Sequence, residues 1–336
     1  MSYFAFFCDR ALLLSAVMLL ASAVRAETDL TMHLNWAPGA DHAPFYYAEQ
    51  QGWYRTAGIK LSFVPGAGST NATQKVAESP NAVGIADFTN VLIARGKGAD
   101  VVAVMSIFAN SPHSFYWLKS SGIRSLRDLR GRKIGTPLND PARILWRSLA
   151  KTTSIDPDSV TWVDVAHNAK IAALKSQAID VATNSFFYNH TNYTREFGDD
   201  LVQFSWCDEG LNLYGNSLIA SQRLIVAQPE LLKAFVIATQ RAFQTCLKEP
   251  QPCITSLVAA NSHLDFNKEL ENWRHVVRLV GEAGVSNHLL GAFDMARVKH
   301  DYRIVRELFN LERFFEPINS YNNDFLDATI SLSGSL

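Results

Sequence analysis

The 336-residue chain has no excess of either charge: 31 Lys and Arg stand against 32 Asp and Glu, a formal charge of −1. Nucleic acid is therefore not an expected partner, because phosphate binding needs clustered Lys and Arg. Cysteine is scarce, with four residues and no CxxC pair, so neither a zinc site nor dithiol redox chemistry is indicated. The chain also lacks a G-x-S-x-G elbow, an H-E-x-x-H motif and a Gly-Lys-Ser/Thr loop. Those absences remove the local signatures of hydrolases, zinc proteases and phosphate loops. Dispersed catalytic residues leave no such trace, so an enzyme is not excluded. Long apolar runs are confined to the start, which argues against a membrane channel. No internal repeat or low-complexity linker is present, and the 48% apolar composition excludes a mostly disordered chain.

The one apolar run, residues 11–24 (ALLLSAVMLLASAV), follows Arg10 and precedes Val24-Arg25-Ala26. It is too short to span a bilayer and fits the apolar core of a signal peptide, with small residues placed for cleavage after Ala26. Residues 1–26 are thus expected to direct export to the periplasm, with an uncleaved anchor as the alternative. An exported chain meets oxidising conditions. Cys246 and Cys253 flank a Pro-rich turn, where a local disulfide or two separate thiols are both open.

From residue 30 onward, strand and helix patterns alternate. Strands are expected at 30–36, 59–64, 82–86 and 101–108, with helices at 43–51, 69–79 and 89–95 between them. A second run places strands at 133–136, 160–165, 180–183, 201–206 and 216–220, with helices at 125–130, 142–152 and 169–177. Nearly all-apolar runs such as Val101–Phe108 suit buried, mostly parallel sheets with helices on both faces. After residue 229 the chain reads mostly helical, with Leu231, Phe235, Ala238 and Ala242 on one face. The expectation is α/β: two lobes, 27–115 with 212–336 and 116–211, two backbone crossings near 115–118 and 204–212, and a helical C-terminal tail.

Ligands of open α/β sheets bind beyond the carboxyl ends of strands. The residues there include Trp36 and His42 after the first strand, Gly68, Ser69 and Thr70 after the second, Asp87 after the third and Ser111 after the fourth. Asn139, Asn184 and Tyr188 follow strands of the second lobe, and Asn216 lies at the return crossing. Trp36 and Tyr188 could stack on a flat ligand. The Gly-rich turn could offer backbone N–H groups, or Ser69 or Thr70 could cap the helix. Asp87 either binds a polar ligand group or caps the helix at 89, and His42 either donates to ligand or caps its helix. Arg143 could dock a carboxylate or sulfonate, or be a surface helix residue. No cofactor and no metal are expected.

Leu34-Asn-Trp36, Asp41-His-Ala-Pro-Phe-Tyr-Tyr-Ala48 and Gly52-Trp-Tyr54 resemble the start of ABC-importer substrate-binding proteins of the thiamine-pyrimidine-precursor group. That group is similar to the alkanesulfonate, taurine and nitrate binders. Val83-Gly-Ile-Ala-Asp87, residues 120–135 and residues 173–181 extend the resemblance over about residues 30–261. It implies a two-lobed type II periplasmic-binding-protein fold. It also implies a monomer that delivers a small polar planar molecule to an ABC permease and its ATPase. A thiamine-pyrimidine precursor is the first candidate, with sulfonates and aromatic carboxylates as others. The same superfamily holds a fungal thiamine-pyrimidine synthase with a Cys-rich motif where this chain has Leu213-Tyr-Gly-Asn-Ser-Leu218. That departure and the export signal argue for binding over catalysis, although His42 falls where the synthase has a His. An exported relative of the synthase and a ligand-sensing partner of a membrane receptor are the alternatives.

Overall fold

The computed structural model describes residues 27–138, 140–184, 190–281 and 288–332. In chain order, β1 (Thr28–His33), α1 (Ala43–Gln50), α2 (Trp53–Thr56), β2 (Ile59–Val64), α3 (Ser69–Glu78), β3 (Ala82–Asp87), α4 (Phe88–Gly96) and β4 (Val102–Ser106) open the chain. Next come β5 (Ser114–Leu118), β6 (Lys133–Thr136), α5 (Ala142–Thr152), β7 (Thr161–Asp164), α6 (Lys170–Lys175), β8 (Val181–Asn184), α7 (His190–Phe197) and β9 (Leu201–Ser205). Then β10 (Asn216–Ala220) leads into α8 (Gln222–Ala227), α9 (Pro229–Lys248), α10 (Pro250–Ala260) and α11 (Phe266–Val280). The chain ends with β11 (His288–Leu289), α12 (Met295–Leu308) and β12 (Ser331–Leu332).

Two five-stranded sheets result, in the orders β2-β1-β3-β10-β4 and β7-β6-β8-β5-β9. Each has one strand, next to the edge, that runs against its neighbours: β10 in the first and β5 in the second. Each of those strands is the first the chain builds after passing from the other sheet. Every residue of β3 and β4 is buried, as an apolar strand covered by helices on both faces requires. Helices α9, α10 and α11 pack their apolar stripes on one face of the first sheet, and α4 and α12 cover the other. Ile304 of α12 also reaches the core of the second sheet.

The chain passes between the sheets at residues 107–113 and 206–215. Residues 115–118, expected to carry the first crossing, instead belong to β5. The crossings lie side by side: the Gly215 N–H donates to the Phe108 carbonyl at 2.9 Å, and a Cβ on Gly215 would come within 2.9 Å of Pro112 Cδ. Asn212 Nδ2 donates to Asn110 Oδ1 at 2.9 Å, while Asn212 Oδ1 accepts the Ser111 N–H at 2.8 Å.

The helix expected at 125–130 is a short 3-10 turn, Leu126–Leu129. Asp128 Oδ2 accepts the Arg124 and Ser125 N–H groups and the Ser125 hydroxyl, a capping box that opens the turn, and the extended Arg130 (ψ 124°) followed by Gly131 (φ 76°) ends it. Cys246 and Cys253 are joined in a disulfide between α9 and α10.

Candidate functional site: the cleft between the sheets

Beyond His33 the chain leaves β1 and lies under the loop after β2. Gly66 N–H donates to the Trp36 carbonyl at 3.1 Å and Gly68 N–H to the Asn35 carbonyl at 2.7 Å. A Cβ on Gly66 would sit 1.7 Å from the Leu34 carbonyl oxygen, so only glycine permits this approach. Gly68, at φ 108°, is the cap residue of α3, and no side chain caps that helix. Ser69 and Thr70 are occupied otherwise: Ser69 Oγ accepts the Asp87 N–H at 3.0 Å and Thr70 Oγ1 accepts from Asn90 Nδ2 at 3.0 Å.

The loop and strand ends bound a cavity of about 250 Å³ between the sheets. From the first sheet's side come Asn35, Trp36, residues 67–70, Asp87 and Asn90; from the other come His113, Pro137, Asp140, Pro141 and His167. Trp36 is 41% exposed. Its ring meets the His167 ring edge-on across the cleft, with centroids 5.8 Å apart.

Asp87 caps α4 through Oδ1, which accepts the Thr89 N–H at 2.9 Å. Burial raises its pKa and Asp140 adds to the rise, against His113 and the Thr89 N–H. Asp140 stands opposite, with its oxygens on the Ala142 N–H and the Thr136 hydroxyl, both at 2.9 Å. Burial would raise its pKa, but Lys170, the Ala142 N–H, His113 and Thr136 together hold it below the usual value. Lys170 Nζ lies buried, donating to the Thr183 carbonyl at 2.7 Å and hydroxyl at 3.0 Å. Burial brings its pKa down to about 8, against the pull of Asp140. His113 packs on Trp206 at 5.3 Å, and its Nδ1 is buried without a hydrogen-bond partner. Among the described residues, no three His, Cys, Asp or Glu side chains are grouped to hold a metal ion.

His42 and Asn216 lie beneath the cavity wall and fix Asn35. Gly39 N–H donates to His42 Nδ1 at 3.2 Å, so the ring proton sits on Nε2, which donates to Asn35 Oδ1 at 3.0 Å. Asp41 Oδ1 is 3.5 Å from the same Nδ1, yet burial lowers the His42 pKa despite that carboxyl. An accepting Nδ1 and a lowered pKa both describe a neutral ring. Asn35 Nδ2 then donates to Asn216 Oδ1 at 3.2 Å, and Asn216 Nδ2 to Asp41 Oδ2 at 3.4 Å. The Asn35 amide orientation is thereby set, on a residue that lines the cavity.

Of the expected ligand residues, the structure brings Trp36, Gly68, Ser69, Thr70 and Asp87 onto the cavity wall. His42, Asn216 and Ser111 are buried away from it; the Ser111 hydroxyl accepts the His113 N–H within the crossing at 3.3 Å. Asn139 and Tyr188 lie outside the described residues, as does the side chain of Asn184. Arg143 does not line the cavity: Nη2 donates to the Thr136 carbonyl at 3.0 Å and the guanidinium lies 5.7 Å from the Trp162 ring. Asn35, Asn90, His113, Asp140 and His167 were not among the expected contacts. Asn35, His113 and Asp140 carry the signal that found their neighbours, a polar side chain after a strand. His167 follows β7, where the same rule applies.

A family model described as NMT1/THI5 like matches residues 39–252. The chain is 27% identical over 243 residues to a 4-amino-5-hydroxymethyl-2-methylpyrimidine phosphate synthase of Legionella pneumophila, covering 71% of this chain and 75% of that protein. It is 22% identical over 265 residues to a formylaminopyrimidine-binding protein of Halalkalibacterium halodurans, covering 76% and 79%. The alkanesulfonate-binding protein SsuA of Xanthomonas axonopodis, solved with MOPS, superposes with a TM-score of 0.64 at 17% identity over 85% of this chain and 96% of that one. Likeness at that identity establishes the two-lobed periplasmic-binding-protein fold.

Proposed function

The chain belongs to the NMT1/THI5-like family, and on that premise we propose that it binds a small planar nitrogen heterocycle between its sheets and releases it unchanged to an ABC permease and its ATPase. The cavity itself carries this reading. Its walls come from both sheets, and Trp36 presents an exposed ring face at its mouth. At about 250 Å³ it falls just below the usual ~300–1,000 Å³ of ligand pockets, a size that suits one ring with short substituents. The relatives named for a formylaminopyrimidine and for synthesis of an aminopyrimidine support a pyrimidine as the ring.

In this reading each sheet with its helices is one lobe, and the lobes are divided at the crossings 107–113 and 206–215, so that β5 stays whole in the second. Trp36 covers the ring, the fixed Asn35 amide donates to a ring acceptor, and the lobes close because closure adds His167, His113 and Asp140 to the contacts. Residues 1–26 export the chain to the periplasm, where it works as a monomer. Mass spectrometry of small molecules that co-purify with the protein, followed by titration with 4-amino-5-hydroxymethyl-2-methylpyrimidine, tests it. Saturable quenching of tryptophan fluorescence with the ligand recovered intact is expected.

The synthase names among the relatives favour a second reading, chemistry in the same cleft. Against it, His42 is 1% exposed and bound to Asn35, beyond reach of a ligand in the cavity. Recovery of a changed molecule from the titration would select the second reading.

A further inference from the structure

Building on the binding reading, we infer that Asp87 makes the cleft selective for a planar ligand that is cationic or rich in N–H donors, of the amidine type, and that the cleft rejects sulfonates and carboxylates. Three observations lead there. Asp87 ends a fully buried strand and is itself only 8% exposed. Its Oδ1 is committed to the Thr89 N–H, whereas Oδ2 has no hydrogen bond among the described residues while the side chain lines the cavity. That oxygen is open to the cavity and not sealed in the core, so it can accept an N–H from a ligand held there.

The second observation is the absence of a cation to receive an anionic ligand. No Lys or Arg lines the cavity. Lys170 Nζ is turned to Thr183 and the Arg143 guanidinium to the Thr136 carbonyl. The third is Asp140, a second carboxylate on the opposite wall. A sulfonate would enter between two carboxylates with no Lys or Arg on the described wall to receive it, and like charges in a partly desolvated site discriminate strongly. The groups facing Asp87 are His113, Asp140 and Asp301. His113 alone among them can carry positive charge.

Benzamidine and benzenesulfonate, the same ring with opposite charge, test the selection on the full mature protein by saturation-transfer NMR and tryptophan quenching. Benzamidine is expected to bind and benzenesulfonate to stay silent. Asp87→Asn should weaken benzamidine at least tenfold. Asn is also a good helix cap, so the melting temperature should hold; Asp87→Ser, which also caps, is the second variant should it fall. Benzenesulfonate binding as well as benzamidine, or benzamidine binding unaltered in both variants, overturns the selection and leaves the binding reading standing. Silence from both rings and from 4-amino-5-hydroxymethyl-2-methylpyrimidine overturns both.

Discussion

Trp36 and Asp87 are each held in an environment that protein folding alone does not favour. A tryptophan with 41% of its surface exposed leaves much apolar area in water, and a carboxylate buried beside another carboxylate is pushed toward its neutral form. Each strain is relieved by a ligand. Trp36→Ala should therefore lower affinity for the planar ligand about tenfold, the worth of roughly 1.4 kcal/mol of aromatic contact. It should lower the melting temperature less than the loss of a fully buried tryptophan would, since Trp36 is 41% exposed; titration beside a thermal melt separates the two effects. Affinity should also depend on pH. The ionised form of Asp87 accepts the ligand's N–H, and its pKa is raised by burial, so binding should weaken as pH falls through that raised value. The same titration repeated on Asp87→Asn should give a flatter profile. Which residues follow strands was legible from sequence. Which of them face the cavity was not, because adjacent loop residues diverge. Asn35 reaches the cavity wall while His42 and Asn216, both bonded to it, lie beneath, and only the packed loop decides that.

At the scale of elements, the strand signals at 59–64, 133–136 and 216–220 coincide with β2, β6 and β10. The first strand ends at His33, three residues short of its apolar–polar alternation, because Asn35 and Trp36 give their carbonyls to the Gly66–Gly68 loop instead of to a strand. Periodicity reports which side a residue faces, not what its backbone bonds to, so it overran where the cleft begins. The turn 126–129 was misread because Ser125 and Asp128 form the capping box that opens a helix, while Arg130 and Gly131 leave the helical region one turn later. The disulfide belongs to this scale. It closes a seven-residue separation and joins α9 to α10, against both of which α1 packs. Loop-closure entropy for so short a ring is worth about 2–3 kcal/mol. The double variant Cys246→Ser, Cys253→Ser should melt lower, and a reductant should lower the parent's melting temperature without moving the variant's. Equal sensitivity of both proteins to reductant would show that the stabilisation does not come from this bond.

At the scale of the molecule, alternation of strands and helices carried the two-sheet plan, but the way the sheets are tied could not be read from any segment. The tie is made by a helix far along the chain. Arg297 of α12 donates to the Ala109 carbonyl of one crossing at 2.5 Å and the Asn212 carbonyl of the other at 3.3 Å. One turn later, Asp301 Oδ2 accepts the Tyr214 N–H at 2.9 Å. Residues 85 to 188 positions apart in sequence thus meet at the crossings between the lobes. Asp301 is fully buried, its Oδ1 has no hydrogen-bond partner among the described residues, and burial raises its pKa to about 8, with Asp87 adding to the rise and Arg297 and the Tyr214 N–H opposing it. The unfolded carboxyl releases its proton near 3.8, so across the window from there to about 8 the folded chain holds one more proton than the unfolded chain. Stability must then fall as pH rises through that window. Asp301→Asn keeps an oxygen for Tyr214 and cannot ionise. Its melting temperature should approach the parent's near pH 4 and exceed it increasingly toward pH 8. Two melting curves that stay parallel over that range would mean that Asp301 does not titrate at the crossings.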